Sequence, residues 1–194
     1  GICLLYCPSY NVVGPVFGTS GHMGGQGVYL ASSLGKLDES IDGGLYLCTS
    51  CGACKDVCPA SIDIKKGIIR ARSHVESSIK GGLSEHTALL ASVRNYDNPW
   101  QVARAHRSRW AEGMGLPGKG EVLYFAGCST SLLYPEIARS AVRVLRACGV
   151  EPAYLGAGEK CCGSTALKLG AESIAFKKLT ECFADFSGVG ARTI

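Results

Sequence analysis

The segment Cys48-Thr49-Ser50-Cys51-Gly52-Ala53-Cys54-Lys55-Asp56-Val57-Cys58-Pro59 decides how this chain is read. Two-residue spacers between Cys48, Cys51 and Cys54 let three thiolates curl around one small object. Gly52 and Ala53 are small enough for the backbone to come close to that object and aim amide N–H groups at the sulfurs. Pro59 turns the chain away after the fourth cysteine. An earlier stretch, Cys3-Leu4-Leu5-Tyr6-Cys7-Pro8, repeats the spacer and the proline of Cys54 to Pro59. It reads as the tail of a second copy whose first two cysteines would precede Gly1.

A cysteine triplet followed by Cys-Pro is the spacing of a [4Fe–4S] ferredoxin motif, in which the fourth cysteine ligates the other cluster when two are present. Crossed ligation gives Cys48, Cys51, Cys54 and Cys7 to one complete cluster. Cys3 and Cys58 then serve another, which the residues of the chain do not complete. Zinc and disulfides are the competing uses of these thiols. Zinc usually takes two well-separated pairs rather than a triplet. Disulfides within Cys48, Cys51 and Cys54 would close small strained loops.

The rest of the composition agrees with a folded metal protein. The chain has 194 residues, 46% hydrophobic and 19% charged, with a net charge of +4. That is enough apolar matter for a core and excludes intrinsic disorder. Apolar runs such as residues 122–126 fall far short of the roughly 20 residues a membrane helix needs. The positive charge is too small and too scattered to point to nucleic acid. Eleven cysteines, an odd count without a signal segment, argue for a cytoplasmic metal protein rather than a secreted disulfide scaffold.

The expected organisation is α+β in three parts: residues 1–82, 83–120 and 121–194. The first is a helical, two-cluster ferredoxin-like domain. Its last helix spans residues 64–79, with apolar residues at 64, 68, 71, 75 and 79, and is ended by Gly81 and Gly82. The second part is a helical bridge. A helix capped by Ser84 runs to about Val93, and another begins at Asn98-Pro99, with Asn98 as its N-cap, and runs to about Glu112. The third part alternates strand and helix: strands over residues 122–126 and 150–155, helices over 135–148 and 171–186. Strand, helix, strand at this spacing makes a βαβ unit with parallel strands. On the first of those helices Ile137, Ala141, Val144, Leu145 and Cys148 form the apolar face, and on the second Ala175, Leu179, Cys182, Phe183 and Phe186 do. Both ends of the sequence read as cut through a motif.

Cys128 follows the first of these strands, and Cys161-Cys162-Gly163 follows the second. In a parallel sheet both loops lie at the carboxyl edge, where open α/β folds place ligands. Adjacent cysteines do not easily bond to each other but can ligate neighbouring irons. The competing use is a set of buried structural thiols. Cys148 and Cys182, on apolar helical faces, read as core. The histidines at 22, 74, 86 and 106 match no ligand spacing and read as surface, and Arg104, Arg107 and Arg109 read as solvated helix positions.

The Cys-Cys-Gly element, the cysteine some thirty residues before it and the N-terminal double motif together resemble the heterodisulfide reductase family of cysteine-rich iron–sulfur proteins, in particular its D component. Relatives in that family include the iron–sulfur subunits of anaerobic glycerol-3-phosphate dehydrogenase and glycolate oxidase. Asn98-Pro99-Trp100 resembles the family's bridge. In the family the cysteine-rich domain has a cysteine, then Cys-Cys-Gly, then Cys-x-x-Cys; Cys128, Cys161, Cys162 and Gly163 match the first two elements. The resemblance implies two [4Fe–4S] clusters in the intact ferredoxin domain and a further iron–sulfur cluster at the Cys-Cys-Gly site. There Cys128, Cys161 and Cys162 would act in reducing a disulfide. It also implies redox partner subunits, a membrane cytochrome b-type protein or a flavoprotein, through which the chain would meet the membrane. Wiring for a flavin-dependent glycerol-3-phosphate, glycolate or lactate dehydrogenase that passes electrons to quinone is the alternative function. A zinc-stabilised module without redox chemistry is the third.

Overall fold

The computed structural model describes residues 1–78 and 83–194. Ile79, Gly81 and Gly82, with the helix end and the boundary at residue 82 read from them, lie outside the described residues. The chain forms two compact units, residues 1–86 with 167–172, and residues 87–166 with 173–194.

The first unit is helical: α1 Ile2–Leu5, α2 Pro8–Val13, α3 Gly24–Ser33, α4 Leu37–Asp42, α5 Ala53–Asp56 and α6 Ile64–Ser78. Its sheet is a two-residue hairpin, β1 Gly18–Thr19 antiparallel to β2 His22–Met23. Ile64, Ile68, Ala71 and Val75 recur at helical spacing on α6 and bury against Phe17, Val28 and Leu45. Each of the larger side chains contributes about 1.5–3 kcal/mol by leaving water.

The second unit contains α7 Ser84–Tyr96 from Thr87 onward, then α8 Gly127–Leu132, α9 Pro135–Ala147, the first residues of α10 Ser164–Leu169, and most of α11 Glu172–Val189. Trp110 is its central side chain. Its indole N–H donates to Tyr154 Oη at 3.0 Å, and that hydroxyl donates to the Arg107 carbonyl at 3.0 Å. Ala126, Ala138 and Val142 close around the pair.

Several expectations change here. The two strands contract to one parallel bridge, Leu123 with Ala153, while Val122 makes a separate parallel bridge to Thr193, outside both expected strands. Pro152 has no N–H to extend the ladder backward. Leu155 already has helical φ and ψ (−75°, −6°) and leads into a 3₁₀ turn at Gly156–Gly158, so the ladder stops forward as well. No helix starts at Asn98. Its side chain instead accepts from Trp100 N and Val102 N and donates to the Tyr96 and Val102 carbonyls, holding a turn. A 3₁₀ helix follows only at Arg104–Ala111. On α9 the buried residues are Ala138 and Val142, whereas Ile137 and Val144 are 55% and 63% exposed and Cys148 is exposed. The small i, i+4 pair lets α9 approach Trp110 closely, and this turns the larger apolar residues outward. On α11 Cys182 is buried as expected, together with Ile174, Ala175 and Lys178, while Phe183 is exposed.

Candidate metal centres

The loops of the first unit bring Cys3, Cys7, Cys48, Cys51 and Cys54 to one cavity, with about 470 Å³ of empty space including its open side. Local structure aims each of them. Cys3 lies on α1, and Cys7 is the N-cap of α2, its sulfur accepting from Tyr10 N at 3.5 Å. Cys48 ends a 3₁₀ turn at Leu45–Leu47, and Cys54 is the second residue of α5. Gly52 has φ +91° as the N-cap of α5, a conformation that glycine adopts without strain. Leu4, Phe17 and Ile64 supply the apolar wall.

Burial raises the pKa of the Cys54 thiol, and negative charge on Cys48, Cys51 and Cys3 raises it further. Thiolates gathered in this way need cationic metal to stay ionised together. The sulfurs ring the cavity instead of meeting at a point: among the described residues no three His, Cys, Asp or Glu groups form a single-ion site. An apolar cavity ringed by soft thiolates suits a cluster held through several irons. Cys3 lines the same cavity, so five cysteines surround it. Cys58 does not line it. The amides of Ile62, Ala60 and Ser61 lower the pKa of the Cys58 thiol.

The second unit carries Cys128, Cys161 and Cys162. Cys128 is the second residue of α8, and the Cys161-Cys162-Gly163 loop leads into α10. Gly163 has φ +77°, and a Cβ there would stand 2.6 Å from the Ala175 carbonyl, so the loop packs against α11 only with glycine. The Cys128 thiol is lowered to about 7, by a hydrogen bond with Cys161 and by the Arg107 charge, against burial. The same bond with Cys128 raises the Cys161 thiol, and Cys161 and burial raise that of Cys162. The three thiols therefore form one coupled group. Burial, with charge on Cys162, Glu159 and Cys161, pushes the Cys182 thiol up to about 12, and its sulfur lies 3.7 Å from the Lys160 carbonyl.

Two buried carboxylates hold this group. Glu159 accepts from Arg107 Nε at 3.1 Å, from Ala126 N at 2.9 Å and from Gly127 N at 3.0 Å. It thus ties the loop of Cys161 to the backbone just before Cys128. Burial pushes its own carboxyl up to about 7, against the pull of Arg107 and the two amides. Asp97 accepts from Lys178 Nζ at 2.8 Å and from Cys161 N at 3.4 Å, and pairs with Arg104.

Segments of both units match known families. Residues 1–62 match the 4Fe-4S dicluster domain and residues 122–194 match the cysteine-rich domain. A 4Fe-4S dicluster domain followed by a cysteine-rich domain marks an iron–sulfur protein. This iron–sulfur protein is 32% identical over 165 residues to the EtfAB:quinone oxidoreductase of Syntrophomonas wolfei, covering 77% of the chain and 23% of that relative. It is 25% identical over 190 residues to the D component of the dihydromethanophenazine:CoB–CoM heterodisulfide reductase of Methanosarcina barkeri, covering 88% of the chain and 46% of the relative. A probable iron-sulfur-binding oxidoreductase, FadF, of Bacillus subtilis is 29% identical over 151 residues, covering 71% of the chain and 21% of the relative. The chain thus spans less than half the length of these relatives. No solved structure gives a significant match. The resemblance to heterodisulfide reductase read from the motifs holds, and it supports an electron-transfer iron–sulfur subunit. No helix among the described residues is long and apolar enough to cross a membrane.

The residues around the cysteines carry no sequence signal of their own. Arg107 is 1% exposed in its ion pair with Glu159, not solvated, because that carboxylate compensates its charge. His86 is half-buried, edge-on to the Tyr46 ring at 4.5 Å, while the other three histidines are exposed as expected. Glu159 follows a glycine turn and Asp97 precedes the Asn-Pro turn. Their distance in sequence from Arg107 and Lys178 hides both networks.

Proposed function

We propose that the protein is an electron-transfer subunit of a redox complex, in which Cys48, Cys51, Cys54 and Cys7 hold one [4Fe–4S] cluster. The observation that carries this reading is the cavity at which cysteines from residues 3–7 meet those from residues 48–54. Cys3 and Cys58 are assigned to the second cluster of a two-cluster ferredoxin-like domain. The domain division at residues 1–82, 83–120 and 121–194, with a parallel arrangement of the 122–126 and 150–155 segments, belongs to the same proposal. When bound, an iron–sulfur cluster supplies a one-electron site. The chain's own residues bind it through sulfur, exclude water with Leu4, Phe17 and Ile64, and keep backbone amides near the ligands.

Cys128, Cys161 and Cys162 are proposed as ligands of a further iron–sulfur centre and as the catalytic site for a disulfide. Its reduction takes two electrons and two protons and releases two thiols. The partners would be other redox subunits, cytochrome b-type or flavoprotein, in the cytoplasm and at the membrane through the partner. The likeness to an EtfAB:quinone oxidoreductase favours a second reading. In that reading the chain wires a flavin dehydrogenase to quinone.

Anaerobic purification tests the cluster assignment. The protein should be brown, with iron and acid-labile sulfide, and Cys51→Ser should lose one cluster while Cys182→Ala keeps its iron. Colourless protein with stoichiometric zinc, or equal iron loss in both variants, would overturn the assignment.

A further inference from the structure

Arg72 lies on α6, a single turn before Glu76, and is 3% exposed. All five of its N–H donors are used, and every acceptor is neutral. Nε and Nη2 donate to the Leu45 carbonyl at 3.2 and 2.7 Å, and Nη2 also donates to the Cys48 carbonyl at 2.6 Å. Nη1 donates to the Lys168 carbonyl at 2.7 Å and to Ser50 Oγ at 3.3 Å. The guanidinium also lies over the Tyr46 ring, 5.1 Å from its centroid. Among the described residues no carboxylate forms an ion pair with Arg72, Glu76 included.

A buried cation normally has an anion, because desolvating an unpaired charge costs several kcal/mol. Two of Arg72's acceptors, Cys48 and Ser50, belong to residues that line the cysteine cavity. We infer that Arg72 is the internal counter-cation of the cluster in that cavity, a positioning residue that fixes the Cys48 loop and raises the cluster's reduction potential. The inference rests on the reading that the cavity holds an iron–sulfur cluster. Four thiolates outweigh the charge of the iron–sulfur core, and reduction adds one electron to this negative site. A fixed positive charge next to it favours the reduced form. No proton moves, because the guanidinium stays charged throughout. The hydrogen bonds alone do not require a cation at this place; the net charge with no protein partner does.

The test is a potentiometric titration of the anaerobically purified, cluster-loaded chain, followed by electron paramagnetic resonance at the signal that Cys51→Ser removes. Arg72→Gln should lower the reduction equilibrium constant at least tenfold, which for one electron is about 59 mV. Arg72→Lys, which keeps the charge and loses the fork, should stay within about threefold of wild type. An unchanged potential in Arg72→Gln at full iron content, or equal shifts in both variants, would overturn the inference. If Arg72→Gln does not retain its cluster, iron content decides: retention by Arg72→Lys alone, with the two iron-free variants equally stable to urea, supports the counter-cation. Equal loss from both would make Arg72 a structural brace. A wild-type protein without iron would instead refute the cluster reading itself.

Discussion

Replacing Glu159 with glutamine tests how the second cysteine group is held together. The carboxylate and the Arg107 guanidinium are each 1% exposed and lie 3.1 Å apart. Glutamine keeps the shape but exchanges one acceptor oxygen for an N–H₂ group. That group would face either both the Arg107 Nε donor and the Gly127 amide, which share Oε1, or the Ala126 amide at Oε2. It also leaves the Arg107 charge buried without an anion. Removing one partner of a buried pair costs about 3–5 kcal/mol, whereas replacing both with apolar groups is often close to neutral. Glu159→Gln should therefore cost about 3–5 kcal/mol, and adding Arg107→Met should restore part of that loss. The two changes should couple by about 1–3 kcal/mol in a double-mutant cycle. Urea unfolding of the iron-free chain, followed by tryptophan fluorescence, reads the effect. Both tryptophans, Trp100 and Trp110, lie in the second unit, so the signal does not mix the two units. Additive losses, within about 0.5 kcal/mol, would refute the reasoning, because they would mean that the charges do not sense each other.

Two further outcomes follow from the same unit. Burial raises the pKa of the Asp97 carboxyl, but Lys178, the Cys161 amide and Arg104 outweigh it, leaving the group below its ordinary value of 3.8. The stability it contributes is complete above the unfolded value and is lost as pH falls through the folded one. Asp97→Asn should thus flatten the loss of stability below about pH 4, seen as the slope of the urea midpoint against pH; an unchanged slope would assign that loss to other groups. Gly163→Ala should lower the stability read by fluorescence by about 1–3 kcal/mol, since alanine is strained at φ +77° and its Cβ meets the Ala175 carbonyl. A midpoint equal to wild type would show that the loop moves freely from α11.

The helices were legible where periodicity was strong. Residues 64–78, 84–96, 135–147 and 172–189 form helices close to their expected bounds because apolar spacing and capping residues act within a few turns. Which face is buried was less legible. On α9 both Ile137 and Ala138 are apolar, and only the position of Trp110 selects the smaller one. Asn98-Pro99 carries a helix-start signature, yet the same Asn side chain can bridge a turn, and nearby carbonyls decide between the two. The short strands failed for a similar reason. A ladder depends on partners elsewhere in the chain, and here Leu155 turns away after a single bridge.

Cysteine spacing alone announces the kind of chemistry. It is covalent and local, so the triplet at Cys48, Cys51 and Cys54, its partial copy at Cys3 and Cys7, and the Cys161-Cys162 pair could be read as soft-metal ligands without coordinates. Folding selects which cysteines share a cavity and which charges stand behind them. Cys3 joins the cavity of the triplet and Cys58 does not. Arg72, Glu159 and Asp97 reach the cysteine loops from positions 22 to 64 residues away in sequence. Electrostatic and hydrogen-bonding partners are set by distance in space, and a sequence does not carry that distance until the chain has folded.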